Sequence, residues 1–120
     1  MIVDDSGFAR RTLRQILESA GHTVTDASTG MEALEQYSLG RYDVVLLDII
    51  MDGMSGLEVL GKLRQFDTNA RVLLATADTQ TATRREAELA GAVGLIQKPF
   101  EKEQLLKAIE LVASGGNAWN

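Results

Sequence analysis

Val44-Val45-Leu46-Leu47-Asp48, followed by Ile49-Ile50-Met51-Asp52-Gly53-Met54-Ser55-Gly56, is the stretch from which the fold can be read. Four consecutive apolar residues, two of them β-branched, end in a carboxylate, and the next eight residues hold two glycines. A short run that is apolar throughout and closed by turn residues reads as a strand buried on both faces, the kind found in sheets covered by helices on each side. Asp48 is then the last residue of that strand, delivered to the rim where open α/β sheets place their ligands.

Working outward, Ser55-Gly56-Leu57-Glu58 fits a capping box and opens a helix through Leu60, Leu63 and Arg64. Upstream, Thr29-Gly30-Met31-Glu32 fits another, with its helix running to about Leu39 and ended by Gly40. Residues 23–27 alternate as an edge strand. Met1-Ile2-Val3-Asp4-Asp5 has the look of a buried strand ending in two acids, abbreviated because only three residues precede Asp4. Ser6 caps a helix to about Ala20, with Phe8, Leu13, Ile16 and Leu17 at helical spacing and Gly21 as its stop. Beyond the third helix, residues 71–76 read as a strand ending in a hydroxyl. Residues 80–90 form a weakly amphipathic helix stopped by Gly91. Residues 94–97 are a short strand before Lys98-Pro99-Phe100. Residues 101–113 form a last helix with Leu105, Leu106, Ile109 and Val112 on one face. Strand and helix thus alternate about five times, which predicts βαβ units, right-handed crossovers and a parallel sheet. One domain is expected over residues 1–114, followed by a flexible, frayed tail over 115–120.

Composition narrows the function classes. The 120 residues are 45% hydrophobic and 24% charged, as in an ordinary globular domain. A net charge of −5 argues against non-specific nucleic-acid or membrane binding, which want a basic face. With no cysteine, neither a disulfide framework nor a thiolate metal site can be built, and the single histidine supports no metal cluster or Ser/His pair. No run approaches the roughly 18 apolar residues of a membrane span. No signal-peptide pattern opens the chain, so the expected compartment is the cytoplasm.

In a parallel sheet every strand C-terminus points the same way. Four of them here end in functional groups: Asp4 and Asp5, Asp48, Thr76, and Lys98. Any one alone has a bland reading, as a helix cap, a solvated turn or a surface charge; their conjunction is what predicts a site. Two carboxylates about 4 Å apart repel by roughly 4 kcal/mol at an effective dielectric near 20, so three together call for a cation. Hard oxygen ligands without His or Cys favour Mg²⁺. Asp48 beside the metal is the expected attacking carboxylate, a nucleophile for a phosphoryl group. Thr76 would donate a hydrogen bond to one phosphoryl oxygen and Lys98 would pair with another.

Asp4-Asp5-Ser6, Asp48-Ile49-Ile50-Met51 with Met54 and Gly56, Thr76-Ala77-Asp78, and Lys98-Pro99-Phe100 together resemble the receiver domain of bacterial two-component response regulators, most nearly the single-domain chemotaxis type. The resemblance covers essentially the whole chain. It implies a flavodoxin-like, doubly wound five-stranded sheet in the order 2-1-3-4-5 with helices on both faces. It implies Asp48 as phosphorylation site, fed by a phosphohistidine on a histidine kinase or phosphotransfer protein. Asp5 and Asp48 would bind Mg²⁺ through side chains, Asp4 largely through water, and Ile50 through its backbone carbonyl. Thr76 would be the switch hydroxyl, Lys98 the phosphate-binding lysine, and the Lys98–Pro99 bond cis. A downstream output protein or domain would read the surface of the fourth helix, fifth strand and fifth helix, with a homodimer compatible with the same face.

The chain departs from that pattern in three places: Leu95 stands where the family usually has an aromatic switch residue, Asp52 stands where it often has proline, and the first strand is abbreviated. Ile50 and Asp78 occupy positions that tune dephosphorylation in the family, and a branched Ile50 is expected to shield an acyl phosphate from water. Two other readings compete. One is a receiver-fold interaction module without phosphorylation. The other is a Mg²⁺-dependent phosphatase of the haloacid-dehalogenase type, which wants an acid two residues after its nucleophile, where this chain has Ile50. The chain carries no recognisable DNA-binding segment, so either it acts alone on a partner or it is a receiver cut from a longer regulator, which its boundaries fit.

Overall fold

Strands and helices alternate without interruption in the computed structural model, which describes residues 1–77 and 81–119. They are β1 (Ile2–Val3), α1 (Gly7–Ser19), β2 (Asp26–Ala27), α2 (Gly30–Leu39), β3 (Val45–Asp48), α3 (Gly56–Phe66), β4 (Val72–Thr76), α4 (Thr81–Leu89), β5 (Gly94–Gln97) and α5 (Lys102–Ala113). The sheet is parallel throughout, in the order β2-β1-β3-β4-β5 that the resemblance implied. Asp78 and the expected first residue of the fourth helix, Gln80, lie outside the described residues.

The side-chain alternation of the central strands divides the core in two. Val45, Leu47, Val72 and Leu74 pack on one side with Ala33, Val59, Leu60, Leu63 and Ala87 from α2, α3 and α4. Leu46, Leu73 and Ala75 pack on the other with Leu13, Leu17, Leu105, Ile109 and Val112 from α1 and α5. The apolar run around Leu46 is therefore continuous because both of its faces meet helices. Phe8 departs from expectation: it is 73% exposed, and only Leu13 and Leu17 of the proposed α1 stripe are buried.

The capping signals are met. Ser6 Oγ accepts from Ala9 N–H at 3.2 Å, Thr29 Oγ1 from Glu32 N–H at 3.1 Å, and Ser55 Oγ from Glu58 N–H at 3.3 Å. In α2 the reciprocal arm of the box lands one residue early, because Glu32 Oε2 accepts from the Ser28 hydroxyl at 3.0 Å. β2 is shorter than the alternation suggested, since its ladder extends only along Ile2 and Val3. The stretch expected to fray also differs. Gly115 (φ +94°) reverses the chain after α5, and Ala118 forms a parallel bridge with Gly94. Trp119 packs on the α2–α3–α4 side of the core.

Candidate functional site

The register places the chemistry. β1 and β3 run side by side with Val3 opposite Leu47, so Asp4 follows at the level of Asp48. Asp48 lies opposite Ala75, which sets Thr76 one residue further out on the neighbouring strand, and Thr76 lies opposite Gln97, just before Lys98. Residues 94 positions apart in the chain thus meet at one rim: Lys98 Nζ donates to Asp4 Oδ2 and to Asp48 Oδ2, both at 2.9 Å. Asp4, Asp5 and Asp48 each present a carboxylate oxygen, and these oxygens lie within 4.8 Å of one another.

Local backbone holds each group. Asp4 is 3% exposed; its Oδ1 accepts from Ser6 N–H at 2.9 Å, and its carbonyl accepts from the Arg10 guanidinium at 2.7 Å. Asp48 is 9% exposed, and its Oδ1 accepts from Ile50 N–H at 3.2 Å. Asp5 is exposed, with Oδ2 accepting from Asp52 N–H at 3.0 Å. Thr76 is 2% exposed, and its carbonyl accepts from Lys98 N–H at 2.8 Å, tying the ends of β4 and β5 together. The Lys98–Pro99 bond is cis. Behind Asp48, Gly56 opens α3 so close to the strand that a β-carbon there would collide with the Asp48 carbonyl and come 2.7 Å from Ile49 Cα. Gly56 N–H donates to the Ile49 carbonyl at 2.8 Å. The absent side chain is what lets the helix seat directly behind the carboxylate.

Electrostatically the rim is unbalanced. Burial alone would lower the pKa of Lys98, but its hydrogen bonds to Asp48 and Asp4 and their charges outweigh this and hold it above the ordinary lysine value. Three carboxylates against one ammonium still leave two negative charges in excess. A compact set of hard oxygen donors with that excess, open to water on the Asp5 side, fits Mg²⁺, which keeps waters and takes one or two carboxylates. Chemically the rim offers an oxygen nucleophile, a cation to pair with an anionic oxygen, and a buried hydroxyl one residue beyond.

All of the strand-end groups expected from the sequence converge, and Ile50 follows at the rim with its side chain 72% exposed. Asp52 is exposed, its backbone rather than its carboxylate serving Asp5. Leu95 is half-buried opposite Leu74, below the level of Thr76. Two contributions were not legible in the sequence. Arg10 carries no signal of its own in the sequence, yet it closes over the Asp4 carbonyl. Gly56 reads as a cap-box filler, yet it decides how near α3 comes to the site.

Comparison with known proteins agrees with this geometry. A family model described as the response regulator receiver domain matches residues 1–110. The chemotaxis protein CheY of Halobacterium salinarum is 38% identical over 109 residues, covering 91% of either chain. The structure of chemotaxis protein CheY4 of Vibrio cholerae superposes with a TM-score of 0.89 at 34% identity, covering 92% of this chain and 94% of that one. A chain of the CheX–CheY–BeF3–Mg²⁺ complex from Borrelia burgdorferi superposes with a TM-score of 0.84 at 36% identity, covering 88% of this chain and 81% of that one.

Proposed function

The chain belongs to the response regulator receiver family, and from that premise we propose that Asp48 accepts a phosphoryl group and that the resulting charge switches a partner-binding surface. The observation that carries the reading is the Lys98 ammonium, 2.9 Å from both Asp4 and Asp48, with Asp5 alongside. A purely structural ion pair needs one carboxylate for one ammonium. Three carboxylates converging on one ammonium are a standing repulsion that a bound cation would relieve.

The donor is a phosphohistidine on a histidine kinase or phosphotransfer protein. A bond forms between an Asp48 carboxylate oxygen and phosphorus as the P–N bond breaks, and the imidazole leaves with the bonding pair. Asp5 and Asp48 would hold Mg²⁺ through their side chains, with Asp4 and the Ile50 carbonyl completing the set of oxygen donors. When bound, Mg²⁺ supplies positive charge against the carboxylates and the incoming phosphoryl oxygens. Lys98 has three donors and spends two on Asp4 and Asp48, so it can turn one toward a phosphoryl oxygen without leaving the site. Thr76 provides the hydroxyl that follows the new charge and moves the end of β4. That is a local charge event acting on a two-state element.

On this reading the chain catalyses only its own phosphorylation and slow hydrolysis and has no separate substrate. It works in the cytoplasm, and its output is a protein partner. The test is to incubate the chain with Mg²⁺ and acetyl phosphate and measure its mass. A gain of one phosphoryl, abolished in Asp48→Asn, is the expected result. Unchanged mass leaves a phosphorylation-independent interaction module, and turnover of phosphate esters leaves the phosphatase.

A further inference from the structure

Residues 117–119 occupy the free edge of β5. Ala118 N–H donates to the Val93 carbonyl at 2.8 Å, and Leu95 N–H donates to the Ala118 carbonyl at 3.3 Å. With the bridge to Gly94, these bonds make residue 118 a minimal sixth strand. The approach is built rather than casual. Gly115, in the left-handed region, turns the chain back at the end of α5, and Gly115 and Gly116 N–H donate to the Val112 and Leu111 carbonyls at 3.0 and 2.8 Å. Gly94 has no side chain where residue 118 lies: a β-carbon there would stand 2.7 Å from the Ala118 carbonyl oxygen.

Trp119 then connects this segment to the rest of the switch region. The Arg84 guanidinium of α4 lies over its ring, 5.6 Å from the centroid. The same ring lines a cavity of about 200 Å³ together with Thr76, Arg84 and Leu95. The segment therefore touches β5 through its backbone, α4 through its ring, and the wall of a cavity that Thr76 shares. Its hold is modest. Two backbone hydrogen bonds, one small buried side chain, part of an indole and its contact with Arg84 outweigh the ordering of a few residues by about the weight of one or two hydrogen bonds.

We infer that residues 117–119 are a displaceable strap, seated on β5 in the resting form and released when Asp48 carries a phosphoryl group. The coupling rests on the function proposed above. A Thr76 drawn toward the phosphoryl oxygens changes the cavity that seats Trp119, and the strap loses its ring contact. Release uncovers the Val93 carbonyl and the Leu95 N–H, an edge able to take an extended segment of a partner. Linkage makes the effect reciprocal: a strap that favours the resting form must weaken the site's hold on a phosphoryl mimic by the same factor.

Trp119 is the only tryptophan, so its emission reports the strap directly. The full chain is treated with Mg²⁺ and acetyl phosphate while mass, tryptophan emission and amide exchange at Leu95 are followed in the same samples. A mass gain with red-shifted emission and faster exchange is the expected result. A mass gain with both signals unchanged overturns the strap and leaves the Asp48 reading intact, whereas no mass gain overturns that reading and the coupling with it. Ala118→Pro removes the donor to Val93 without touching the rim. It should raise the affinity for beryllofluoride in Mg²⁺ by roughly three- to tenfold, about the weight of one hydrogen bond. An unchanged affinity overturns the coupling. Trp119→Ala, which keeps the backbone bridge, should shift affinity in the same direction and guards against misfolding of the proline variant.

Discussion

Replacing Asp5 by asparagine removes one charge from the rim while keeping an oxygen that can hold Asp52 N–H, now 3.0 Å from Asp5 Oδ2. The Asp5 carboxylate lies within 4.8 Å of those of Asp4 and Asp48. At that separation each like-charge pair repels by about 1 kcal/mol in bulk water and about 3.5 kcal/mol at an effective dielectric near 20. Asp5 is exposed, so the lower figure applies, and Lys98 already offsets part of the charge on the other two. The net relief is on the order of 1 kcal/mol, which for a domain of this size raises Tm by about 3–6 °C. Asp5→Asn is therefore more stable than the parent in metal-free, low-salt buffer, and the gap narrows as salt screens the rim. Mg²⁺ reverses the order, because metal at 100 times its Kd stabilises the parent by about 2.7 kcal/mol and the variant by much less. Thermal melts of both proteins with EDTA and across a Mg²⁺ series give the comparison. Loss of stability in Asp5→Asn without metal, or parallel Mg²⁺ responses in the two proteins, refutes the electrostatic account of the rim.

Gly56→Ala places a methyl against backbone that cannot yield, so a loss of about 1–3 kcal/mol is expected in urea unfolding, together with slower phosphorylation as α3 moves off Asp48. Tyr37 donates to Asp67 Oδ2 at 2.7 Å, and its phenol is pushed up to about 12 by burial first and by that hydrogen bond second. The raised pKa means that its contribution to stability is complete below pH 10 and is lost as pH rises through 12. In an absorbance titration Asp67→Asn should move one tyrosine transition part of the way back toward 10, the burial share remaining. Ile50→Asn should shorten the lifetime of the phosphorylated form, measured as phosphate release after acetyl phosphate is removed. An unchanged lifetime refutes shielding by the branched side chain.

What the sequence disclosed, and what it hid, follows from the range of each signal. The run ending in Asp48 disclosed a two-sided strand because burial on both faces leaves no polar position. Once the sheet is parallel, the convergence of Asp4, Asp5, Asp48, Thr76 and Lys98 follows from topology alone. The first helix misled through arithmetic: Phe8 lies five residues before Leu13, about 140° around the helix from it, outside the stripe that Leu13 and Leu17 share. The strand at β2 was overextended because alternation gives a strand's possible length, whereas its ladder is only as long as Ile2–Val3 beside it. The bridge at Ala118 left no mark in the sequence because one residue added to a sheet edge has no periodicity. Gly115-Gly116, the signal that was present, marks a chain reversal as readily as a loose end.

The site and the strap share one logic. A rim carrying two uncompensated negative charges raises the free energy of the resting fold, and the same excess would couple a bound divalent cation to the chain's stability. A rim balanced one-to-one would be more stable and would lack that coupling. Lys98 sits where both demands meet. Its ammonium joins the ends of β1 and β3 through Asp4 and Asp48, while its backbone N–H holds the Thr76 carbonyl. One residue therefore ties the ends of β1 and β3 through its side chain and the end of β4 through its backbone. On the proposed reading, a Thr76 drawn toward the phosphoryl oxygens would change the cavity it shares with Trp119. The strap lies at the far end of this path, on an edge where its hold is weak enough to be lost.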